Sequence, residues 1–200
     1  MSPGFRRLLD ALAAADDDDA RAQVQAQIRA RFERPLAVLI SDMSGFSRIT
    51  REEGILHFLG LIHRMQSLCR PVVEAHGGRW VKAEADNLYL SFPSARAAIE
   101  GAIGMHDACD EDARGRRRND TVSLAIGIDY GPVLDLDGED FYGDPVNIAS
   151  KLGEDLASSG DLFVTRRAAA GFATPDGWTA AIERARISSV DIEYLALRRA

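Results

Sequence analysis

Lysine is nearly missing from this 200-residue sequence: of its 24 basic residues, only Lys82 and Lys151 are lysines, and the others are arginines. Positive charge is also in deficit, because 31 acidic residues leave a formal net charge of −7. A chain with this balance does not hold nucleic acid or an anionic membrane through its overall field, although a small local basic patch stays compatible with it. We therefore expect neither nucleic acid nor membrane among its partners.

Cysteine and long apolar runs are scarce as well. Cys69 and Cys109 stand at no spacing typical of metal ligands, so both are predicted to be small buried apolar residues in a reduced compartment. No window approaches the ~18 uninterrupted apolar residues of a membrane span, and the N-terminal segment lacks the apolar stretch of a secretion signal. These absences predict a cytoplasmic protein.

The N-terminal part of the chain is predicted to be helical. Apolar residues in 5–34 recur at helical spacing around an acidic run at 16–19, which indicates a helical hairpin or a broken helix that ends before Pro35. We assign residues 1–34 to an N-terminal helical segment and 35–200 to a globular domain. The segment either packs on that domain as a solvated appendage or serves in dimerisation or signal input.

Beyond Pro35, strand and helix patterns alternate. Helical patterns, the second of them capped by Ser94, lie at 52–75, 94–113 and 145–157. Strand patterns lie at 36–40, at 79–93 as a hairpin around a turn at 85–87, at 121–136 as a second hairpin, and at 160–165 and 191–197. Strands joined by both helices and hairpins predict a ferredoxin-like α+β fold, a mixed β-sheet with helices packed on it.

Two aspartates stand at positions suited to a metal ion. Asp42 follows the buried strand 36–40 and precedes a turn into a helix, where free backbone N–H groups accompany its carboxylate. Asp86 lies at the tip of the predicted hairpin 79–93, so pairing of that hairpin with the buried strand brings both carboxylates to one end of the sheet. Two such acids repel unless a cation lies between them. The alternatives are a helix-capping aspartate and a turn-forming aspartate.

Four ordered motifs resemble the catalytic domain of the class III nucleotidyl cyclases, the adenylyl and guanylyl cyclases. They are "LISDMSGFSRIT" (39–50), "GGRWVKAEADNLYLSF" (77–92), "LAIGIDYGPVL" (124–134) and "DFYGDPVNIASKL" (140–152). The resemblance covers about residues 36–165 and, more loosely, the tail to 197. It implies that residues 35–200 form a cyclase catalytic domain.

The resemblance implies roles at the phosphate end of a nucleotide. Asp42 and Asp86 match the two aspartates of a two-metal site for Mg²⁺ or Mn²⁺, with the carbonyl of Met43 as an additional ligand. The turn whose amides bind phosphate corresponds to Gly45, Phe46 and Ser47.

The resemblance also implies roles at the base and the ribose. Lys82 matches the purine-reading lysine and Asp140 its acidic partner. This pair selects adenine, because the lysine donates to ring N1 and the carboxylate accepts from the exocyclic amine. Asn147 matches the residue that orients the ribose in the transition state.

The activity implied is adenylate cyclase activity. The 3′-hydroxyl of ATP attacks the α-phosphorus and expels pyrophosphate, and the metals stabilise the attacking and leaving oxygens. In this family the sites lie between head-to-tail subunits, with Asp42 and Asp86 on one and Lys82, Asp140 and Asn147 on the other. The resemblance thus implies a homodimer with two symmetric sites and an inactive monomer.

Three positions depart from the family's pattern. Lys151 stands where the family has the arginine that stabilises charge on the α-phosphate, which predicts reduced turnover, since lysine lacks the guanidinium fork. Both lysines of this arginine-rich chain thus fall at positions predicted to face the nucleotide. Ala85 replaces a glycine before Asp86. The tail has no lysine for the β- and γ-phosphates; candidates to replace it are Arg166, Arg184 and Arg186.

Two other functions stay open from the sequence. One is a cyclase-like domain that has lost turnover and binds nucleotide or a partner, and the other is a cyclase for a different nucleotide. Glu84 also has two interpretations, because its place between Lys82 and Asp86 on one face of the hairpin allows a salt bridge to the lysine or an approach to the metal.

Overall fold

The computed structural model describes residues 3–187 and 190–200 of the chain. Its helices are α1 Pro3–Ala13, α2 Asp18–Phe32, α3 Phe46–Glu53, α4 Ile55–Ala75, α5 Ala95–Ala113 and α6 Asp144–Ser150. A 3₁₀ turn spans Arg118–Asp120, and α6 continues directly into a π-helical turn, Lys151–Leu156. The strands are β1 Glu33–Met43, β2 Arg79–Glu84, β3 Asn87–Phe92, β4 Leu124–Asp135, β5 Phe141–Tyr142, β6 Leu162–Thr165, β7 Trp178–Ile187 and β8 Val190–Arg199.

Within these ranges, eight strands form one mixed sheet. Seven of them lie in the order β2-β3-β1-β4-β6-β8-β7, and β5 pairs with the end of β4. β4 and β6 run parallel, whereas the other neighbouring strands are antiparallel. The predicted α+β fold with a mixed sheet is therefore confirmed.

The central strand β1 is buried on both faces. Leu39 contributes to the larger core beneath α4 and α5, whereas its neighbours Val38 and Ile40 pack on the opposite face with Ala149 of α6. Side chains alternate between the two faces of a strand, so a strand covered on both sides needs an uninterrupted apolar run. The continuous apolar sequence 36–40 reflects this position in the sheet.

Helices α4 and α5 form the layer on the larger core. Met65 of α4 and Met105 of α5 are completely buried there, and Cys69 and Cys109 lie in the same core. The prediction that both cysteines are small buried residues is confirmed. No helix of the described ranges is long and apolar enough to cross a membrane.

The N-terminal segment is a helical hairpin that packs on the sheet. Asp17 caps α2 by accepting a hydrogen bond from the backbone N–H of Ala20 at 2.7 Å, so the acidic run forms the turn and the cap. Phe5 of α1 packs edge-on against Phe32 of α2 at 5.1 Å between ring centroids, and both belong to a buried apolar cluster with Leu136, just beyond β4. Helix α2 ends at Phe32 and β1 begins at Glu33, two residues before the predicted boundary.

The second predicted hairpin, at 121–136, is wrong. Its residues form one long strand, β4, which pairs with β1 along the whole of 33–43. Pro132 lies opposite Pro35 in that register, so this residue pair has no backbone N–H to donate. The residue pairs on either side keep the two strands in register. Gly131 carries no positive φ and makes no turn.

Two further elements differ from the prediction. β7, at the edge of the sheet, was not predicted, because most of its side chains are exposed and show no apolar alternation. The predicted helix 52–75 is two helices, α3 and α4, separated by Gly54 with φ +90°. A residue with a Cβ rarely adopts that conformation, so the glycine permits the break.

Candidate active site

The first candidate group stands where β1 ends. Asp42 is the penultimate residue of that strand and is partly buried. Gly45, with φ +104°, precedes the first residue of α3 and offers no side-chain cap to the helix. The first amides of a helix lack intrahelical partners, so those near Phe46 and Ser47 are available to an anion such as phosphate. The ring of Phe46 is half exposed and packs edge-on against Phe58 at 4.9 Å.

Asp86 lies at the tip of the β2–β3 hairpin, as predicted. The pair Glu84–Asn87 closes the hairpin, which leaves Ala85 and Asp86 as the turn. Ala85 has φ +51°, so the family's glycine position does require the left-handed region, and alanine holds it at a cost of about 1 kcal/mol. β3 pairs with β1, and this pairing brings the tip beside the end of β1 that carries Asp42.

Two other carboxylates, those of Asp86 and Glu154, influence the charge state of Asp42. The pKa of Asp42 is raised to about 6 by burial and by the negative charges of Asp86 and Glu154, against a hydrogen bond from the Met43 N–H. Sequence reasoning missed Glu154. It lies on the π-helical turn three residues after Lys151 and accepts a long hydrogen bond, 3.3 Å, from the hydroxyl of Tyr89.

The charges at this group suit a divalent cation. Among the described residues, neither Asp42 nor Asp86 forms an ion pair with a basic side chain, so their negative charges are uncompensated within the chain. Carboxylate and carbonyl oxygens are the ligands that Mg²⁺ and Mn²⁺ prefer. The described ranges contain no ready-made cluster of three or more histidine, cysteine or acidic ligands, so the chain alone offers an incomplete coordination shell.

Replacing Asp42 by asparagine is expected to stabilise the metal-free protein at neutral pH. The pKa of this carboxyl is raised from 3.8 to about 6 in the folded protein, so folding favours the protonated carboxyl. When the pH rises through about 6, the carboxyl ionises in the folded state and the free energy of unfolding falls. Asparagine cannot ionise, so the gain in melting temperature over the wild type should be largest above about pH 7 and shrink toward about pH 4.5. Thermal unfolding in EDTA at these two pH values measures it, and an equal shift at both would contradict the expectation.

The second candidate group surrounds Lys82 on β2. Its ammonium lies 3.0 Å from a Glu84 carboxylate oxygen and 3.3 Å from Asp140, and 4.9 Å from the ring centre of Tyr89. Burial disfavours the charged lysine, but the hydrogen bonds and charges of Glu84 and Asp140 outweigh it and hold the pKa of Lys82 above its usual value. Glu84 therefore pairs with the lysine, which answers the question left open by the sequence.

Asp140 is held in place by its own loop. One carboxylate oxygen accepts the hydroxyl of Tyr142 at 2.8 Å, and the other accepts the backbone N–H of Phe141 at 2.9 Å. Burial raises the pKa of Asp140, but these hydrogen bonds and the charge of Lys82 lower it below its usual value. The carboxylate is thus ionised and held in a fixed orientation within the chain.

Asn147 and Lys151 extend from α6 and the π-helical turn that follows it. Asn147 is exposed, and Lys151 is partly buried. Within the described residues, neither side chain makes a hydrogen bond or an ion pair with the rest of the chain. Both are therefore free to contact a ligand or a second subunit.

Two glycines let this helical segment lie directly on the sheet. A Cβ on Gly127 of β4 would come within 2.2 Å of the Ala149 carbonyl oxygen, and one on Gly153 within 2.6 Å of the Ile40 carbonyl oxygen. Real Cβ atoms do not approach main-chain atoms so closely, so both positions require glycine. The close contact fixes α6 and the π-helical turn above β1 and β4.

The arginines considered for the triphosphate are already paired. Arg184 on β7 and Arg166 after β6 both contact Glu193 of β8, at 2.6 and 3.0 Å. Arg186 lies 3.8 Å from Asp191. All three are largely exposed, and within the described residues they lie on the β7–β8 hairpin or beside it.

Curated proteins that are similar in sequence to this chain include two named as adenylate cyclases. A Rhizobium meliloti (strain 1021) protein named "Putative adenylate cyclase 3" is 31% identical over 133 residues, which is 66% of this chain and 22% of that protein. An adenylate cyclase of Streptomyces coelicolor is 31% identical over 120 residues, 60% of this chain and 30% of its own length. The chain thus spans less than a third of these curated relatives.

A solved structure agrees with the sequence relatives. The adenylate/guanylate cyclase/hydrolase from Silicibacter pomeroyi superposes with a TM-score of 0.69 at 25% identity, over 83% of this chain and 97% of that one. No family model matches the sequence. The mixed sheet, the two polar groups and these similarities lead to one conclusion: in fold and in sequence, the chain is similar to the catalytic domains of the class III adenylate and guanylate cyclases.

Proposed function

We propose that this chain is an adenylate cyclase that converts ATP to cyclic AMP and pyrophosphate. The observation that carries the proposal is the contact between Lys82 and Asp140, which places a donor beside an oriented acceptor. Adenine offers the matching edge, since its ring N1 accepts a hydrogen bond and its exocyclic amine donates one. Guanine offers a donor at N1 and an oxygen beside it, so this pair favours ATP over GTP.

In the proposed reaction, the 3′-oxygen of ATP bonds to the α-phosphorus, its proton passes to solvent, and the bond from that phosphorus to the pyrophosphate oxygen breaks. Asp42, Asp86 and the Met43 carbonyl would hold Mg²⁺ or Mn²⁺, and the bound metal would supply positive charge that stabilises the attacking and leaving oxygens. The amides at Phe46 and Ser47 bind the phosphates. Holding the reacting oxygen and phosphorus in line accounts for much of the rate gain in such transfers.

Asn147 and Lys151 are the two residues that we assign to the ribose and the α-phosphate in the transition state. We assign Asn147 to the ribose, where its amide orients the 3′-oxygen, and Lys151 to the negative charge that develops on the α-phosphate. Both side chains are unpartnered within the described part of the chain, which supports a role in contacting substrate.

We propose that two chains form a head-to-tail homodimer with two active sites. In one chain Lys82 pairs with Glu84 and Asp140 and not with Asp42 or Asp86 within the described residues. We call Lys82, Glu84 and Asp140 the base group and Asp42, Asp86 and the Met43 carbonyl the metal group; the two groups are separate. Each site then combines the metal group of one subunit with the base group, Asn147 and Lys151 of the other. The proposed catalytic domain is 35–200, and the helical hairpin in 1–34 packs beside it and serves dimerisation or signal input.

Mixing two inactive variants tests both the activity and the shared site. Asp86→Asn removes a metal ligand, and Asn147→Ala removes the ribose contact, so each homodimer should make almost no cyclic AMP from ATP and Mn²⁺. Half of the dimers in an equal mixture contain one of each chain and hold one intact site, so we expect about a quarter of the wild-type rate. No recovery would contradict the shared site, and an inactive wild-type protein would contradict the activity.

A second candidate function is nucleotide binding with little turnover. The observation that favours it is Lys151 in place of the family's arginine. Tight binding of ATP without release of pyrophosphate, under conditions where ATP and either metal saturate the protein, would support this function over catalysis.

Restoring arginine at position 151 is expected to raise turnover. A guanidinium presents two parallel donors to the α-phosphate, whereas the ammonium acts as a point charge, so Lys151→Arg should raise kcat about three- to tenfold with little change in KM. Initial rates of cyclic AMP formation measure this. The matched control is Lys151→Gln, which removes the charge and should lower kcat; a lower kcat in both variants would show that this chain's geometry requires lysine.

A further inference from the structure

A buried carboxylate in the middle of the sheet has no role in the proposed reaction. Asp129 of β4 is completely buried. One oxygen accepts the backbone N–H of Tyr130 at 2.8 Å, the Nε of Arg167 at 2.7 Å and the hydroxyl of Thr165, and the other accepts an Nη2–H of Arg167. A buried charge is tolerated when it is paired and its lone pairs are satisfied, and both conditions hold here.

The same guanidinium reaches a second acid. The Nη2 atom of Arg167 also lies 2.9 Å from a carboxylate oxygen of Asp144, so the arginine connects the buried aspartate to the first residue of α6. Half of the Arg167 side chain is exposed. Its bond to the fixed carboxylate of Asp129 gives it an anchored position on the sheet.

At its start, helix α6 is held by the buried Pro145 and by the contact between Asp144 and Arg167. It is seven residues long, and the preceding Gly143 provides no side-chain cap. Asn147 lies three residues after Asp144, about one turn along the helix, and Lys151 follows one turn later. A shift at the first turn would therefore move both side chains assigned to the transition state.

We propose that Arg167 is a positioning residue, which fixes the first turn of α6 by tying Asp144 to Asp129 and so holds Asn147 in its working position. This inference rests on the proposed cyclase function for its effect on rate. Arg167 contacts neither the metal group nor the base group within the described residues, so it acts through the helix.

Of the three linked residues, the exposed Asp144 is the better one to substitute. Removing Arg167 would leave Asp129 buried and unpaired, and an uncompensated buried charge strongly destabilises a protein. Asp144→Ala leaves that pair intact and removes only the link to α6. Asp144→Glu keeps the charge on a longer side chain and serves as the conservative variant that should restore the link.

Steady-state kinetics of Asp144 variants test whether Arg167 positions α6. Asp144→Ala should lower kcat about tenfold while KM for ATP changes less than about twofold, and Asp144→Glu should recover most of the rate. In the background of Arg167→Lys, which preserves the charge beside Asp129 but cannot bridge both acids, Asp144→Ala should have little additional effect. A fall in kcat that is equal in both backgrounds would overturn the proposal.

Amide hydrogen exchange gives a readout that does not require catalysis. Asp144→Ala should speed exchange in residues 144–150 of the full-length protein and leave β1 and β4 unchanged, and Asp144→Glu should return it to the wild-type rate. Unchanged exchange in Asp144→Ala would overturn the positioning role. If the wild-type protein makes no cyclic nucleotide, the proposed function fails, and the exchange experiment still decides whether Arg167 holds α6.

Discussion

Asp86→Asn is expected to lower cyclic AMP formation by about a thousandfold or more, the largest loss predicted for a single substitution. Asparagine has nearly the same shape but a neutral oxygen, so the metal group keeps its geometry and loses one of its two principal charges. Because Asp86 lies in a turn and forms no ion pair among the described residues, folding should be little affected. Initial rates with ATP and saturating Mn²⁺, together with thermal unfolding, measure both effects.

A matched control comes from another exposed turn. Asp137 has φ +58°, a conformation that asparagine also accepts, and it lies outside both polar groups. Asp137→Asn removes the same charge and should leave the rate within about twofold of the wild type. If both variants lost activity equally, net charge rather than a metal ligand at Asp86 would be responsible.

Lys82→Gln is expected to reduce the preference for ATP over GTP, as a ratio of kcat/KM values, by about a hundredfold. The ammonium of Lys82 can only donate, so it suits ring N1 of adenine and opposes the N1–H of guanine. A glutamine amide can donate or accept and therefore fits either base. Competition between the two triphosphates, with product analysis, measures the ratio.

The control for this experiment lies on the same strand. Arg79 of β2 pairs with Asp135 at 3.0 Å, outside the base group, so Arg79→Gln removes one positive charge from β2 without touching Lys82. It should leave the ATP preference unchanged. A guanine preference in the wild-type enzyme would refute the assignment of Lys82 and Asp140 altogether.

The features that sequence predicted best are those fixed by local chemistry. The apolar run 36–40 predicted a strand buried on both faces, and the acidic turn at Asp86 predicted a hairpin tip beside the end of that strand. Both depend on side-chain patterns that lie within a few residues of one another. The motifs around them also indicated the resemblance to the cyclases, which the structural similarity supports.

The features that sequence missed depend on distant partners. Nothing in 121–136 reveals that Pro132 will lie opposite Pro35, and without that pairing a Gly-Pro step indicates a turn. Glu154 was overlooked for the same reason, because its approach to Asp42 depends on how the π-helical turn lies on the sheet. The one signal available was its spacing, seven residues after Asn147, on a segment already assigned to the site.

Sequence spacing left two interpretations of Glu84, a salt bridge to Lys82 or an approach to the metal, and the structure shows the salt bridge. Residues 82, 84 and 86 share a face in simple alternation, but β2 and β3 shift register between Trp80 and Lys82, and the hairpin turns at Ala85. The lysine, at 3.0 Å, lies within ion-pair distance of Glu84.

The contact between Gly127 and Gly153 affects how freely the surrounding sequence can change. Two main chains in contact, rather than the size of intervening side chains, set the height of α6 above β4. Exchanges among the apolar residues nearby can then alter stability while the spacing that orients Asn147 persists. Substitution at either glycine forces the helix away from the sheet. These two positions therefore accept no residue other than glycine, although they carry no functional group.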